Sequence, residues 1–282
     1  MLKIAILIAL VGCSLGSNLL DENVPENFVM GGTNVAQGEF PWTVLVRVLN
    51  NFAQGVVLND RHILTAASVV TEGNRSINHF WVRITAGDNH VLGTSMNREE
   101  RTLSHLFIHD HFNHLTGVNN LAVLRLSTPF LFPHNTIEGA ILNSRIIPVG
   151  TSVQFAGWQF PIPVAENQRM LRSFSMNTIT NAVCTTPPAN TNRILTNMFC
   201  CGQLTPAPTN SPCNGNQGGG VYFNRQLIGI FHDGITCNQV NNPSIFMDVR
   251  FYLDWINQTY NRTDLTPPGT EFPRATPAVD QQ

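Results

Sequence analysis

Histidine and acidic side chains are concentrated in one short stretch near the middle of the chain. The group consists of His105, His109, Asp110, His111 and His114. Imidazole and carboxylate groups are common zinc ligands, and zinc sites are often built from ligands a few residues apart. By residue type and spacing alone, the stretch is therefore a candidate metal site.

Cysteines form a second set of residues with chemical potential. Besides Cys13 near the N-terminus, the chain has Cys184, Cys200, Cys201, Cys213 and Cys237. In an oxidising compartment such cysteines are expected to pair into disulfides. Because this set has an odd number of members, one thiol is left over.

The N-terminus has the features of a secretory signal peptide. Lys3 is followed by an apolar run from Ile4 to Gly12 and then by the small residues Ser14 and Gly16. The run is shorter than the roughly 18 apolar residues that a membrane helix needs, and no later segment reaches that length. We predict a signal peptide over residues 1–16 and secretion without a membrane span.

Three sequons for N-linked glycosylation fit an exported protein. They begin at Asn74, Asn257 and Asn261. The segment from Leu10 to Cys13 also resembles a bacterial lipoprotein cleavage box, which would make Cys13 a lipid anchor. The sequons favour the signal peptide, so we predict a secreted glycoprotein.

Charge and composition exclude several classes of protein. Sixteen basic and 18 acidic residues give a net charge of -2, so no broad basic surface neutralises phosphates, and we expect no nucleic-acid partner. Only 12% of the residues are charged and 43% are hydrophobic, which excludes a disordered or coiled-coil chain. The 21 glycines and 17 prolines indicate strands joined by turns.

Short β-rich runs bounded by Gly, Asn or Pro recur at the spacing typical of barrels or sandwiches. They cover residues 44–49, 61–66, 81–85, 121–126 and 227–231. One helix is predicted near the end, because four apolar residues at helical spacing form a single stripe. These are Val249, Leu253, Ile256 and Tyr260. The Pro-rich segment 262–282 is expected to be a disordered tail.

Six sequence phrases follow one another between Val29 and Asn261. They are Val29-Met30-Gly31-Gly32, Gly38-Glu39-Phe40-Pro41-Trp42, Leu64-Thr65-Ala66-Ala67, Asn119-Asn120-Leu121-Ala122-Val123-Leu124-Arg125-Leu126, Gly157-Trp158 and Cys213-Asn214-Gly215-Asn216-Gln217-Gly218-Gly219. In type, order and spacing they resemble the trypsin/chymotrypsin family of serine proteases. The resemblance implies an all-β domain over 29–261, preceded by a segment at 17–28. Its fold would be two antiparallel six-stranded β-barrels with a C-terminal helix.

The same resemblance implies that the catalytic triad is missing. The family's histidine aligns with Ser68, its aspartate with Asn120 and its nucleophilic serine with Gln217. A carboxamide has no nucleophilic oxygen and accepts no proton at neutral pH, so Gln217 forms no acyl-enzyme. Loss of such a triad costs about 10⁶ in turnover. We therefore predict a pseudo-enzyme.

Two supporting features of the family are altered as well. The aspartate that pairs with the new N-terminus after activation aligns with Asn216, and Phe28 stands where the family has the Arg or Lys of the cleavage site. The substrate-pocket positions align with Ser211, His232, Asp233 and Ser244. We expect neither tryptic activation nor peptide binding in the family's mode.

The resemblance implies two disulfides, Cys184–Cys200 and Cys213–Cys237, each worth roughly 2–4 kcal/mol. The disulfide that stands beside the catalytic histidine in the family is lost at both ends, which are Ala53 and Val69 here. Cys201 is then the odd cysteine. It is either a buried inert thiol or a link to a partner chain.

The resemblance also bears on the histidines. His109 aligns with a histidine common on this loop in the family, so we expect no metal there and no cofactor. His232 is placed beside Ser68 and Asn120, where Ser68 and His232 would be a relocated nucleophile and base. Asp233 points to the opposite face of an extended strand from His232, so we favour a core histidine.

A family-like scaffold without its chemistry resembles the secreted, non-catalytic serine protease homologues of arthropod haemolymph and saliva. The resemblance implies a cofactor, decoy or regulator of cascades in clotting, melanisation or host defence. The expected partners are other secreted proteins, including active proteases or their substrates, bound by loops around the old cleft. Two alternatives stay open: an active hydrolase using Ser68 and His232, and a glycan or small-ligand binder in the remodelled cleft.

Overall fold

The structure is a computed structural model that describes residues 31–73, 75–158, 170–184, 194–202, 211–212, 215–233 and 243–262. The predicted signal peptide, the segment 17–28 and the Pro-rich tail after residue 262 lie outside the described residues. So do Asn74, Cys213 and Cys237.

Most of the described chain is β-strand. The strands are β1 (Thr33–Asn34), β2 (Thr43–Val48), β3 (Asn51–Val57), β4 (His62–Thr65), β5 (Thr71–Glu72), β6 (Arg75–Ser76), β7 (Val82–Ala86), β8 (Glu99–Ile108), β9 (Ala122–Leu126), β10 (Ile141–Leu142), β11 (Ser152–Gly157), β12 (Arg172–Ile179), β13 (Met198–Gly202), β14 (Gly220–Phe223), β15 (Gln226–Asp233) and β16 (Ser244–Asp248). The α-helices are α1 (Asn181–Cys184) and α2 (Leu253–Tyr260), and 3-10 turns cover Ala67–Val69, His79–Trp81 and Val249–Tyr252.

The first half of the chain forms a closed barrel. Strands β2, β3, β4, β9, β8 and β7 pair in this order, and every neighbouring pair is antiparallel. Gly55 on β3 is required where β3 and β4 approach closely, because a Cβ there would lie 2.7 Å from Ile63 Cγ2 and 3.1 Å from the Leu64 carbonyl oxygen. The close approach leaves Ile63 and Leu64 fully buried in the barrel core.

The second half forms another closed barrel from β11, β12, β13, β16, β15 and β14. β1 extends this sheet on β12, and β10 pairs in parallel with β15. Four buried phenylalanine rings fill much of the interior, with centroids of neighbouring rings 5.5–6.3 Å apart. They are Phe155, Phe174, Phe231 and Phe246. The two six-stranded barrels implied by the family resemblance are thus confirmed.

The C-terminal helix lies where the apolar stripe predicts it. The segment starts as the 3-10 turn Val249–Tyr252, which the Asp248 carboxylate caps by accepting from the Arg250 N–H, and continues as α2. Val249 and Ile256 are fully buried in the core that spans both barrels, and Tyr260 packs on His62 of the first barrel. No helix among the described residues is long and apolar enough to cross a membrane.

The predicted strand runs correspond to β2, β4, β7, β9 and β15, with ends that differ by at most two residues. β15 has an irregularity that alternation alone does not predict. Phe231 pairs with Phe246 but Asp233 pairs with Ile245, so His232 lies in a β-bulge. A bulge inserts an extra residue, so the simple up-and-down alternation assumed for His232 and Asp233 is interrupted there.

Candidate functional site

The positions that align with the catalytic triad meet in one cleft. Ser68 lies in the 3-10 turn after β4, Asn120 lies two residues before the start of β9, and Gln217 precedes β14. They line a cleft of about 340 Å³ together with His232 from the bulge of β15. The first two come from the first barrel and the others from the second, so the cleft lies between the barrels.

Asn120 is the centre of a hydrogen-bond network in this cleft. Its side chain is 1% exposed, and its Oδ1 accepts the backbone N–H of Ser68 at 2.8 Å. Its Nδ2 contacts Ser68 Oγ at 3.1 Å and His232 Nδ1 at 2.8 Å. Because the Ser68 backbone N–H can only donate, the amide orientation is fixed, and Nδ2 donates to both Ser68 and His232.

This network constrains the tautomer of His232. With Nδ1 accepting from Asn120 Nδ2, the hydrogen of the neutral ring is on Nε2. One side of the ring packs against Gly117, whose left-handed φ of +67° and missing Cβ leave room for it. A Cβ on that glycine would lie 2.3 Å from the His232 Cε1 atom.

A relocated Ser68/His232 pair would need the imidazole to take the serine proton. Asn120 instead donates to both groups, and the Nδ1 lone pair that would receive a proton is already occupied. A carboxamide N–H does not relay a proton from a hydroxyl to an imidazole. The observed geometry therefore lacks the nucleophile-to-base hydrogen bond that such catalysis uses.

Gln217 makes a contact within its own turn that has direct chemical meaning. Its side-chain Oε1 accepts the backbone N–H of Gly215 at 2.7 Å. In acyl transfer, a backbone N–H at this place relative to the nucleophile stabilises the developing oxyanion. Here the carboxamide oxygen of Gln217 accepts the hydrogen bond that this N–H would otherwise give to an oxyanion.

The turn that carries Gln217 is held against β3. The Gln54 N–H donates to the Gln217 carbonyl at 2.9 Å, and the Gly218 N–H donates to the Phe231 carbonyl at 3.0 Å. Gly218 adopts a left-handed φ of +84°, and a Cβ there would lie 2.1 Å from Thr65 Oγ1. Only glycine fits at this position of the turn.

Asn216 is 1% exposed, and its described hydrogen bonds are made to neutral groups. Its Nδ2 donates to the Trp158 carbonyl at 2.8 Å. The Gln54 carboxamide, oriented to match its neighbours, accepts from Asn216 Nδ2 at 2.6 Å and from the Trp158 N–H at 3.1 Å, and donates to the Ala156 carbonyl at 3.2 Å. The described hydrogen bonds at this buried position therefore join the neutral carboxamides of Asn216 and Gln54 to each other and to backbone groups.

Gln54 is a residue that sequence reasoning missed. It is fully buried on β3, between Ala53 and Gly55. A long polar side chain inside an otherwise apolar strand was the available signal, because buried polar groups need specific partners.

The substrate-pocket positions are only partly described. Ser211 Oγ donates to the Pro212 carbonyl at 3.0 Å, and Ser244 is buried on β16 in register with Cys201. The chain around them, residues 203–210, 213–214 and 234–242, lies outside the described residues, as does the side chain of Asp233.

A second cleft opens beside the first where the family's disulfide is lost. It measures about 520 Å³ and shares Ser68, Thr71 and Gln217 with the first cleft. Ala53 and Val69, the two former cysteine positions, both line it. The remaining walls are mostly apolar and include Val48, Leu49, Phe52 and Ile77.

The cysteines in the described part of the chain follow the resemblance. Cys184 and Cys200 form a disulfide, with Cα atoms 6.3 Å apart. Cys201 is a free thiol buried among the aromatic rings of the second barrel, and burial raises its pKa well above the usual range. Of its two interpretations, the buried inert thiol fits this environment, and a link to a partner chain does not.

The histidines of the central stretch do not converge on one point, although the ring centroids of His109 and His111 lie 6.1 Å apart. His105 stacks on Phe107, whereas His109 lies between the rings of Tyr252 and Trp255 at centroid distances of 5.5 and 4.9 Å. His114 lines the first cleft, beside Ser68 and Asn120. Within the described residues, no three metal-ligating side chains form a group that could hold an ion.

Two of the three sequon asparagines are described. Asn257 and Asn261 are both exposed at the end of α2, and Asn261 Nδ2 donates to the Asn257 carbonyl at 3.0 Å. Exposure is what glycosylation requires, and modification of these residues stays a prediction.

Comparison with known proteins identifies the family. The family model described as Trypsin matches residues 29–256, a range that includes both barrels and the cleft. The chain is 25% identical over 252 residues to trypsin Tyr p 3.0101 of Tyrophagus putrescentiae, covering 86% of this chain and 82% of that protein. It is 23% identical over 261 residues to a trypsin of Phaedon cochleariae, covering 92% and 98%. Against the anionic trypsin of Bos taurus it is 24% identical over 232 residues, covering 82% and 89%. The chain belongs to the trypsin family.

Proposed function

We propose that this protein is a secreted, non-catalytic member of its family that acts by binding another secreted protein. Its role would be that of a cofactor, decoy or regulator of a proteolytic cascade in clotting, melanisation or host defence. Active proteases and their substrates are the expected partners. The arthropod source suggested by the resemblance is part of this proposal.

The contact between Gln217 and Gly215 carries the proposal. At the position that aligns with the nucleophile there is a carboxamide, and its oxygen is 2.7 Å from the backbone nitrogen that would otherwise receive a substrate oxyanion. A single side chain therefore supplies no nucleophile and also fills the place of the transition-state oxygen.

The surface next to the clefts supports binding to a protein. Leu49, Phe80 and Trp81 are exposed by 56, 67 and 53%, and the Leu49 N–H donates to the Trp81 carbonyl at 3.2 Å. We call these three residues the first-barrel surface. Leu49 also lines the 520 Å³ cleft, so the surface and the cleft are continuous. Trp and Phe in such a position are typical anchors of protein interfaces.

The proposal of non-catalysis is tested on the purified full-length protein. We expect no hydrolysis of peptide or ester substrates and no labelling by a fluorophosphonate probe. If the wild type is labelled and Ser68→Ala abolishes the label, the relocated hydrolase is the correct alternative. A matched Ser104→Ala variant, which removes a hydroxyl far from the cleft, controls for indirect effects.

The proposal of protein binding is tested by affinity capture from the fluid into which the protein is secreted, followed by mass spectrometry. Phe80→Ala and Trp81→Ala should each reduce capture of the partner by about tenfold or more, as interface anchors do. Leu131→Ala, at a side chain that is 76% exposed elsewhere, is the matched control and should have no effect. Unchanged capture by both aromatic variants would contradict this surface.

A further inference from the structure

A third cavity lies on the second barrel and shares no lining residue with either cleft. It has a volume of about 420 Å³, within the range of small-molecule sites in proteins. Its apolar walls include Ile147, Met198, Phe199 and Ile228. These walls can take an apolar group, and the polar residues that also line the cavity include Asn143, Thr178, Thr180, Asn181 and Thr196. Neither the proposed function nor the family resemblance uses this cavity.

Asp248 and Arg250 form an ion pair at one end of the cavity. The two side chains differ in how many hydrogen-bonding groups the pair leaves unused. Asp248 Oδ1 accepts from the Arg250 backbone N–H and from Nε at 3.1 and 3.0 Å, and Oδ2 accepts from Nε and Nη2. Both carboxylate oxygens are thus engaged. The side chain of Arg250 is 24% exposed, and its Nη1 makes no hydrogen bond to the described residues.

The free groups decide which head group fits. The Asp248 oxygens have little capacity left for a donor, whereas the guanidinium edge at Nη1 still offers two N–H groups. A carboxylate is the partner that best matches such an edge. A cationic head group would meet the guanidinium without an available acceptor, so this end of the cavity selects against it.

We propose that this cavity binds a small amphiphile with a medium-length alkyl chain and a carboxylate head. The chain lies against Met198, Phe199 and Ile228, and the head accepts from Arg250. The site is independent of the first-barrel surface, because none of Leu49, Phe80 and Trp81 lines it.

Decanoate is the probe for this proposal, with decyltrimethylammonium as the oppositely charged ligand of equal chain length. Calorimetric titration of the full-length protein should give saturable one-site binding of decanoate that is at least about tenfold tighter than binding of the cation. Equal binding of the two probes would mean non-specific apolar adsorption and would overturn the proposal. Absence of decanoate binding would overturn it as well.

Two tryptophan variants locate the site. Thr196 is an exposed residue of the cavity rim, and Thr196→Trp should weaken decanoate binding by at least about tenfold because the indole covers the opening. Ser175 is an exposed hydroxyl residue on β12 outside the cavity, and Ser175→Trp should leave binding unchanged. Decanoate binding that survives Thr196→Trp in a folded protein places the ligand elsewhere and contradicts the proposal. Trp81→Ala should retain decanoate binding whether or not the proposed function is correct.

Discussion

The side-chain oxygen of Gln217 accepts a hydrogen bond from the backbone N–H of Gly215, two residues earlier in the same turn. The contact joins Gln217, which has no nucleophilic atom, to the Gly215 N–H, a backbone donor that would otherwise be available to an oxyanion. A ligand carbonyl that approaches Gly215 must first displace Gln217. Ligands of this cleft are therefore expected to bind around Gln217.

Restoring the triad should not restore an efficient protease. The variant Ser68→His/Asn120→Asp/Gln217→Ser regains the three functional groups, but Asn216 still forms a neutral network with Gln54 and Trp158 in place of an activation ion pair. We expect kcat/KM to stay at least about 10³-fold below that of an active trypsin-like enzyme, as measured with ester and peptide substrates.

Burst titration with a fluorophosphonate is the control for that variant, because it counts correctly formed nucleophiles separately from turnover. We expect labelling to be slow. Rapid labelling together with robust turnover would show that the missing ion pair is not needed, and the argument about activation would then be wrong.

Changing Asn216 to Asp should destabilise the fold. The side chain is 1% exposed and donates to the Trp158 carbonyl, so a carboxylate there would be buried against an acceptor oxygen. We expect a loss of about 3 kcal/mol or more in the free energy of unfolding at pH 7, measured by urea denaturation.

Asn216→Ala is the matched variant, since it removes the same hydrogen bonds without adding a charge, and it should cost less. The penalty of Asn216→Asp should also shrink as the pH falls, because protonation makes the buried group neutral. Equal stability of Asn216→Asp and wild type would indicate a cationic partner for this site.

His62 should make the fold sensitive to mild acid. Burial, assisted by the positive charge of Arg125 and opposed by the negative charge of Asp60, lowers the pKa of His62 from 6.5 to about 4. The unfolded chain then binds a proton that the folded chain does not, so the stabilisation is complete above about pH 6.5 and is lost as the pH falls towards 4. The loss of unfolding free energy is at most about 3 kcal/mol.

The measurement for this prediction is urea unfolding between pH 8 and pH 4 for wild type and His62→Asn. The variant keeps a donor for Asn59 Oδ1, which His62 Nδ1 contacts at 3.0 Å, but it does not titrate. Burial also lowers the pKa values of His79, His105 and His109, so the informative quantity is the difference between the two pH profiles. Parallel profiles would contradict the role of His62.

Cysteine chemistry should distinguish two disulfides from one buried thiol. Peptide mapping without reduction should give Cys184 bonded to Cys200, as the structure has them, and Cys213 bonded to Cys237, as the resemblance predicts. Cys201 should react with iodoacetamide only after denaturation, because it is fully buried and burial raises its pKa. A bond from Cys201 to any of the other four would disprove the pairing.

The fold was predictable because its signals are local and repeated. The apolar stripe from Val249 to Tyr260 predicts the terminal helix, and short apolar runs locate five of the strands. The bulge at His232 was not predictable, because it depends on how β15 and β16 pair and not on the residues of β15 alone.

The residues that form the cleft were predictable from the sequence, but the hydrogen bonds between them were not. Alignment with the family brings Ser68, Asn120, Gln217 and His232 to one cleft, and the structure agrees. The direction of each hydrogen bond depends on amide orientation, which no sequence pattern encodes. The partnership between Asn216 and Gln54 likewise joins two residues 162 positions apart in the chain, through contacts that only the folded barrels create.

The folded scaffold, and not the Pro-rich tail, should carry the activity. The first-barrel surface and both clefts lie within residues 48–232, whereas residues 266–282 include four prolines and few apolar side chains. A chain ending at Asn261 should therefore bind the partner with a Kd within about twofold of the full-length value and should have the same effect on clotting, complement and melanisation assays. Because the net charge is -2 and the surface is apolar, raising the salt concentration from 50 to 500 mM should change that Kd by less than about tenfold. The full-length protein carrying Trp81→Ala is the complementary variant, and it should lose binding although its tail is intact. If the shortened chain is inactive while full-length Trp81→Ala stays active, the tail is the functional element, and binding by the scaffold is the wrong interpretation of this protein.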